Sequence, residues 1–218
     1  MSSFPGSPRL VKGGIVLVDP DTAAVQRIIT LQYNPDTLTR ALQVQGASDS
    51  GDRSEALRLK GPPVETFKLD AEIDATDQLE FPDQNPLAVQ AGVAPQLAAL
   101  ETIIYPPSSQ IQANLAQAAA GVLEIMPVEA PLALFVWSKN RIVPVRITDF
   151  SITEEAFDPE LNPIRAKVSL GLRVLSVDDL ELGSKGASLY MAYQRQKEQM
   201  AAASPAGTLS ALGIGGIL

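Results

Sequence analysis

The 218-residue chain contains neither cysteine nor histidine. That excludes thiol nucleophiles, disulfides, thiolate or imidazole zinc sites, and every mechanism that uses imidazole as general base. A cysteine-free chain also fits folding in a reducing cytoplasm, because small secreted domains more often carry disulfide staples. Aromatic residues are only 5% of the chain, which leaves little for stacking on bases or sugars. Basic residues are outnumbered, 17 against 25 acidic, and the net charge of −8 repels nucleic-acid phosphates and anionic membranes. No apolar run approaches the roughly 20 residues needed to span a bilayer. The start, Met1-Ser2-Ser3-Phe4-Pro5-Gly6, has no basic n-region or apolar h-region, so no signal peptide is expected. No G-x-S-x-G elbow, phosphate loop, G-x-G-x-x-G or EF-hand spacing occurs either. The composition predicts a soluble protein assembled in the cytoplasm, with no cofactor, no metal, no nucleic acid and no membrane insertion.

What is present reads mainly as β structure, α+β overall. Ile15 to Val18 is a continuous apolar, largely β-branched run, and Ile29, Leu31 and Tyr33 alternate, so strands are expected over about Arg9–Val18 and Val25–Tyr33 around the Asp19-Pro20-Asp21 turn. Tyr33-Asn34-Pro35-Asp36 then turns the chain, because proline fixes its own φ and pushes Asn34 out of the helical region. Leu38, Leu42 and Val44 share the parity of a third strand. Arg40 shares it too, which puts that strand end near a rim. Gly46 to Glu55 reads as an exposed loop. In the next strand Phe67, Leu69, Ala71 and Ile73 face one way and Lys68, Asp70, Glu72 and Asp74 the other, so one side is core and the other is wet or meets a partner. Three further strands are expected: Leu132–Trp137, Ile142–Ile152 and Ile164–Leu175. Val145 and Ile147 share a parity that Phe150 and Ile152 break, which predicts a bulge near Thr148 or Asp149.

Two regions change period. Pro95 suits a first helical turn, and Val93, Leu97, Leu100 and Ile104 fall at helical spacing before Pro106-Pro107 ends the run. A weaker stretch, helical or irregular and rich in Ala and Gln, covers Ile111 to Met126. Near the C-terminus, Ala187–Ala203 predicts a helix with Leu189, Ala192, Tyr193 and Gln196 along one line, followed by an apolar, Gly-rich tail from Gly207 to Leu218. This divides the chain into a β domain over residues 1–177 and an extension over 178–218.

The candidate chemistry is thin. Asp70, Glu72, Asp74, Asp77 and Glu80 are dense in carboxylate, but Asp70 and Asp74 are roughly 13 Å apart along a strand at about 3.3 Å per residue, too far for one calcium shell. They read as a solvated, lumen-facing or interfacial acidic face. Glu154 and Glu155 near Asp158 are the right residue types for a hydrolase pair, without the platform a sugar would need. The segment Ile152 to Ala166 is a hairpin closed by two Asx-Pro turns, Asp158-Pro159 and Asn162-Pro163. Phe157 reads as a loop aromatic pinned to the core, and Arg165 as a charge on the face opposite the apolar one.

Three of these segments, in this order, resemble the tube-type domain of contractile injection system proteins. They are Tyr33-Asn34-Pro35, the strand ending Ala71-Glu72-Ile73-Asp74-Ala75-Thr76-Asp77, and the hairpin from Phe157-Asp158-Pro159 to Asn162-Pro163-Ile164-Arg165-Ala166. The likeness runs from about Arg9 to Val177 and is to the baseplate tube-initiator proteins whose longer members carry a LysM module. No LysM signature follows Leu175, so peptidoglycan binding is not carried over. The resemblance implies an antiparallel tail-tube β-barrel or sandwich with one packed helix. It also implies a homo-hexameric ring in the baseplate between the spike hub and the inner tube, with Tyr33, Asn34, Pro35, Phe157, Asn162, Pro163 and Arg165 as fold or assembly markers and no catalytic role. The competing expectation is a monomeric, non-enzymatic ligand- or glycan-binding β-barrel with a deep apolar cavity.

Overall fold

The computed structural model describes residues 10–46, 58–121 and 130–215. Seven strands form one antiparallel sheet: β1 (Gly14–Val18), β2 (Val25–Thr30), β3 (Leu38–Gln43), β4 (Val64–Asp74), β5 (Leu132–Ser138), β6 (Arg141–Phe157) and β7 (Pro163–Val174). Their order in space is β2-β1-β5-β6-β7-β4-β3. The mainly β, α+β expectation therefore holds, but the sheet does not close into a barrel. β2 and β3 end the order without pairing to each other, and all the named strands belong to the one sheet rather than to the two layers of a sandwich. Residues 31–37 join the two outer strands, and Pro35 within that loop has no N–H to extend a ladder through it.

The alternation of β4 is clean. Phe67, Leu69, Ala71 and Ile73 are buried, while Lys68, Asp70 and Glu72 are exposed. They share one core with Ile15 and Leu17 of β1, Phe135 of β5, and Val168, Leu170 and Leu172 of β7. The Phe67 and Phe135 rings lie 5.4 Å apart, centre to centre. β1 and β5 bury both faces. Val18, Leu132 and Leu134 form a smaller cluster on the other side, covered by Leu180 and Leu189. That is why their sequences run apolar without alternating.

The predicted bulge is present: the β6–β7 register shifts between Ile147 and Asp149. Gly171 sits opposite Asp149, where a Cβ would collide with the aspartate side chain. The strands flanking the hairpin run further than expected, to the pair Phe157–Pro163.

The chain between β4 and β5 turns helical more often than the one packed helix and the weaker stretch from Ile111 led us to expect, with the helix Ser108–Ala119 overlapping that stretch. α1 (Thr76–Leu79), a 3-10 turn (Pro82–Gln84), α2 (Pro86–Ala91), α3 (Ala94–Glu101) and α4 (Ser108–Ala119) follow one another. Proline placement explains the breaks, because Pro82, Pro86 and Pro95 each open a new helix where a missing N–H costs nothing. Val93, Leu97 and Leu100 are buried as the α3 stripe predicts. Ile104 is exposed because α3 ends at Glu101.

The last helix, α5 (Lys185–Ala202), starts at Ser184, whose Oγ accepts the Ala187 amide at 3.2 Å. Its buried line is Gly186, Ala187, Tyr190 and Tyr193, so the expected stripe was rotated: Ala192 is exposed and Leu189 packs on the smaller cluster. No helix among the described residues is long and apolar enough to cross a membrane. Most of the Gly46–Glu55 loop, the end of the Ile111–Met126 stretch and the last residues of the tail lie outside the described residues.

Candidate assembly surface

The Tyr33-Asn34-Pro35 turn lies in the bend between the two outer strands and is not a strand end. β2 stops at Thr30 and β3 begins at Leu38. Two side-chain amides then do what a strand would otherwise do. The Asn34 carboxamide oxygen accepts the Gly13 amide at 2.9 Å, and its nitrogen donates to the Val11 carbonyl at 2.9 Å. The Gln32 carboxamide does the same to β4: its Oε1 accepts the Asp74 amide at 2.9 Å and its Nε2 donates to the Asp74 carbonyl at 2.7 Å. Each amide satisfies an N–H and a C=O of one backbone segment, the pair of groups a neighbouring strand supplies. The bend therefore ties the lead-in to β1 to the end of β4 and holds the two halves of the sheet together. Lys12 Nζ adds a bond to the Gln32 carbonyl at 2.8 Å. Gln32 carries as much of this as Asn34, and sequence reasoning missed it, since a glutamine beside a turn has no local signature.

Tyr33 is half exposed and borders a polar groove with Asn34 and Pro35 on one side and Asp70, Glu72, Ser151, Lys167 and Ser169 on the other. This groove opens along the outer face of β4, β7 and β6. There the rows across β4, β7 and β6 run Asp70–Ser169–Ser151, Glu72–Lys167–Thr153 and Asp74–Arg165–Glu155. Arg165 Nε donates to Asp74 Oδ2 at 2.8 Å, Ser169 Oγ donates to Asp70, and Lys167 Nζ lies 3.3 Å from Glu155 Oε1. The expected acidic face is therefore only partly balanced, with two cations of β7 among four carboxylates. The acidic parity of β4 was legible, but the matching basic parity of β7 faced it only once the strands paired.

Asp74 shows how the balance is held. Burial pushes its carboxyl up, but the Thr76 hydroxyl, the Thr76 amide at 2.7 Å and the Arg165 guanidinium outweigh that and hold it below the usual carboxylate range. No group of three or more acidic side chains among the described residues is arranged to hold a metal ion.

The β6–β7 tip is built by Asp158, whose Oδ1 accepts the Glu160 and Asn162 amides, both at 2.8 Å, while Oδ2 accepts Asn162 Nδ2 at 2.8 Å. The Asn162 side chain leads in keeping the Asp158 carboxyl low. Pro163 is buried, and its carbonyl accepts the Val93 amide at 2.8 Å. This fastens the hairpin to the start of α3. Gly92, at φ +55, lies so close to that carbonyl that a Cβ would overlap it. Phe157 is not pinned to the core: it is 49% exposed, beside the fully outward Leu161. Its strand partner Pro163 lies against the start of α3, yet the Phe157 side chain stays outside the core.

A second charged cluster lies at the other end of β4. Glu65, only 3% exposed, accepts from Arg40 Nε at 2.7 Å and Tyr193 OH at 2.8 Å on Oε1, and from Lys197 Nζ at 2.7 Å on Oε2. Lys197 also lies 4.0 Å over the Tyr193 ring. Burial first, and the Glu65 carboxylate second, push the Tyr193 hydroxyl well above the ordinary tyrosine value. Arg40 is at the rim, as its parity predicted.

An open antiparallel sheet with two exposed outer strands and a face of mixed charge defines a structural β scaffold, whose outer edges are unpaired among the described residues and are of the kind that pair with other chains. The family is shown by direct comparison: the model of the contractile injection system tube protein family matches residues 15–181, and the chain belongs to that family. It is a family of structural proteins that assemble with the other components of a phage-tail-like particle. The matched stretch ends before α5 begins. No curated protein matches the chain.

Proposed function

We propose that this chain is a non-enzymatic baseplate subunit that forms a homo-hexameric ring, initiating or adapting the inner tube above the spike hub. The observation that carries this reading is the pair of unpaired strands at opposite ends of one continuous sheet. Joining β3 of one copy to β2 of the next is a head-to-tail contact, which closes into a ring when the rotation per subunit divides a full turn. It also removes the exposed edges that would otherwise template aggregation. In such a ring the sheet is the wall, and the Asp74–Arg165 face looks onto a lumen or a partner layer. Tyr33, Asn34 and Pro35 hold the two outer strands in their relative positions, while Phe157, Asn162, Pro163 and Arg165 shape and flank the protruding hairpin. Residues 178–218 are then an extension added to a tube unit over residues 1–177. Assembly takes place in the cytoplasm.

Imaging particles from cells that lack this gene tests the placement. Truncated or unsheathed tubes are expected, and normal full-length particles would overturn it. Cryo-electron microscopy of intact particles should show six copies between spike and tube. The Tyr33→Ala protein is expected to fail in ring formation before any other property changes.

A further inference from the structure

We infer that α5 is a clamp that holds the outer strand β3 in register for pairing with a neighbouring copy, and that Glu65 is the positioning residue through which it acts. The inference rests on the ring reading above. β3 has only one neighbour, β4, and its residues are exposed almost throughout. A short outer strand held on one side alone frays readily. Arg40 ties it into the sheet by charge through its bond to Glu65. Glu65 stands on the core-side parity of β4, where a carboxylate stripped of water is tolerated only if its lone pairs are filled. Arg40 fills one site, and Tyr193 and Lys197 of α5 fill the others. The helix thus holds the Glu65 carboxylate at the position where it grips β3. Without those two donors Glu65 turns toward water and Arg40 loses a fixed partner. Gln196 Nε2, bonded to Asn140 Oδ1 at 3.2 Å in the β5–β6 turn, anchors α5 while leaving the clamp to Tyr193 and Lys197.

The test uses the full chain with Tyr193→Phe and Lys197→Met together, which keep the packing stems and remove both donors. Hydrogen exchange of the β3 amides, residues 38–43, is expected to speed up about tenfold, in keeping with the loss of charge-assisted bonds, while the β6 and β7 amides keep wild-type rates. Ring formation is expected to fail. A second pair of substitutions, Ala41→Cys with Thr66→Cys, joins two residues that face each other across β3 and β4. In a chain with no other cysteine they can form only one intramolecular disulfide, which fixes β3 without α5. Restored rings in the combined variant support the clamp.

Unchanged β3 exchange, or normal rings from the donor-less variant, overturns it. Fast exchange with rings that the disulfide does not restore also overturns it, because α5 would then touch the neighbour directly. If the wild-type chain forms no rings in the particle, the ring reading itself fails, an outcome separate from all of these. Should the double variant not fold, Glu65→Gln, which retains Arg40 and both α5 residues, is read by the same exchange and ring measurements. Unchanged β3 exchange there overturns the role of Glu65.

Discussion

Two charged clusters sit at opposite ends of β4, and they teach different lessons about what charge does in a fold. At the Asp74 end, ions lie on an open face and pair loosely: Arg165 keeps 48% of its side chain exposed and Lys167 keeps 52%. At the Glu65 end, one carboxylate keeps 3% and holds three donors from two other elements. Exposed pairs stabilise weakly, because water and salt compete for every partner. A buried carboxylate is different, since removing a partner leaves a desolvated charge behind. The open face shapes a surface, whereas the buried cluster joins β3, β4 and α5.

The sharpest way to break the comparison is Glu65→Ala. It should cost about 3 kcal/mol in chemical denaturation, the low end for opening a buried ionic cluster, because Arg40 and Lys197 can still reach water. Lys197→Met alone should cost less, about 1 kcal/mol, as Arg40 and Tyr193 remain on Glu65. Asp74→Asn should cost about 1 kcal/mol at neutral pH, and this loss should disappear in acid. The sign follows from the depressed carboxyl of Asp74. The folded chain binds fewer protons there than the unfolded chain near the ordinary value of 3.8, so the stabilisation is complete above about pH 4 and fades as pH falls through the lowered native value. Denaturation midpoints of wild type and variant across pH 2–7 check it; a difference that persists at pH 2 would contradict the electrostatic account. The smallest effect is expected from Lys167→Met, with no measurable change in midpoint. Salt at about 1 M, where the Debye length is about 3 Å, should shrink the Asp74 effect and leave that of Glu65 nearly intact.

Much of the fold was legible because it depends on periodicity and on proline. The Phe67–Ile73 parity, the bulge at Asp149 and the Val93-Leu97-Leu100 stripe each follow from side-chain alternation or helical spacing that any neighbour must respect. What was misread involved partners distant in sequence. Phe157 was expected in the core because an aromatic in a loop is usually buried, yet it is half exposed at the last β6–β7 pair, beside the turn. Ala192 was placed on the buried line of α5, but that line runs through Ala187, Tyr190 and Tyr193, with Tyr193 and Lys197 bonded to Glu65. The extra helices after β4 were missed because Pro82 and Pro86 were not read as helix starts.

The candidate surface divides in the same way. Tyr33-Asn34-Pro35 announces a turn, since Pro35 allows little else. The carboxamides of Gln32 and Asn34, by contrast, gain backbone partners only when residues 11–13 and 74 arrive beside them.

By itself, the sequence determined the element types, the inward faces of the strands and the absence of thiol or imidazole chemistry, since these are properties of composition and short-range spacing. Tertiary structure alone decided that the sheet stays open, that basic residues of β7 face part of the acidic stripe of β4, and that Glu65 meets α5. Those outcomes depend on which strands become neighbours across 90 or more residues of chain, as with Arg165 and Asp74 at a separation of 91. A pairing at that distance is set by the packing of the whole core, and no local pattern encodes it.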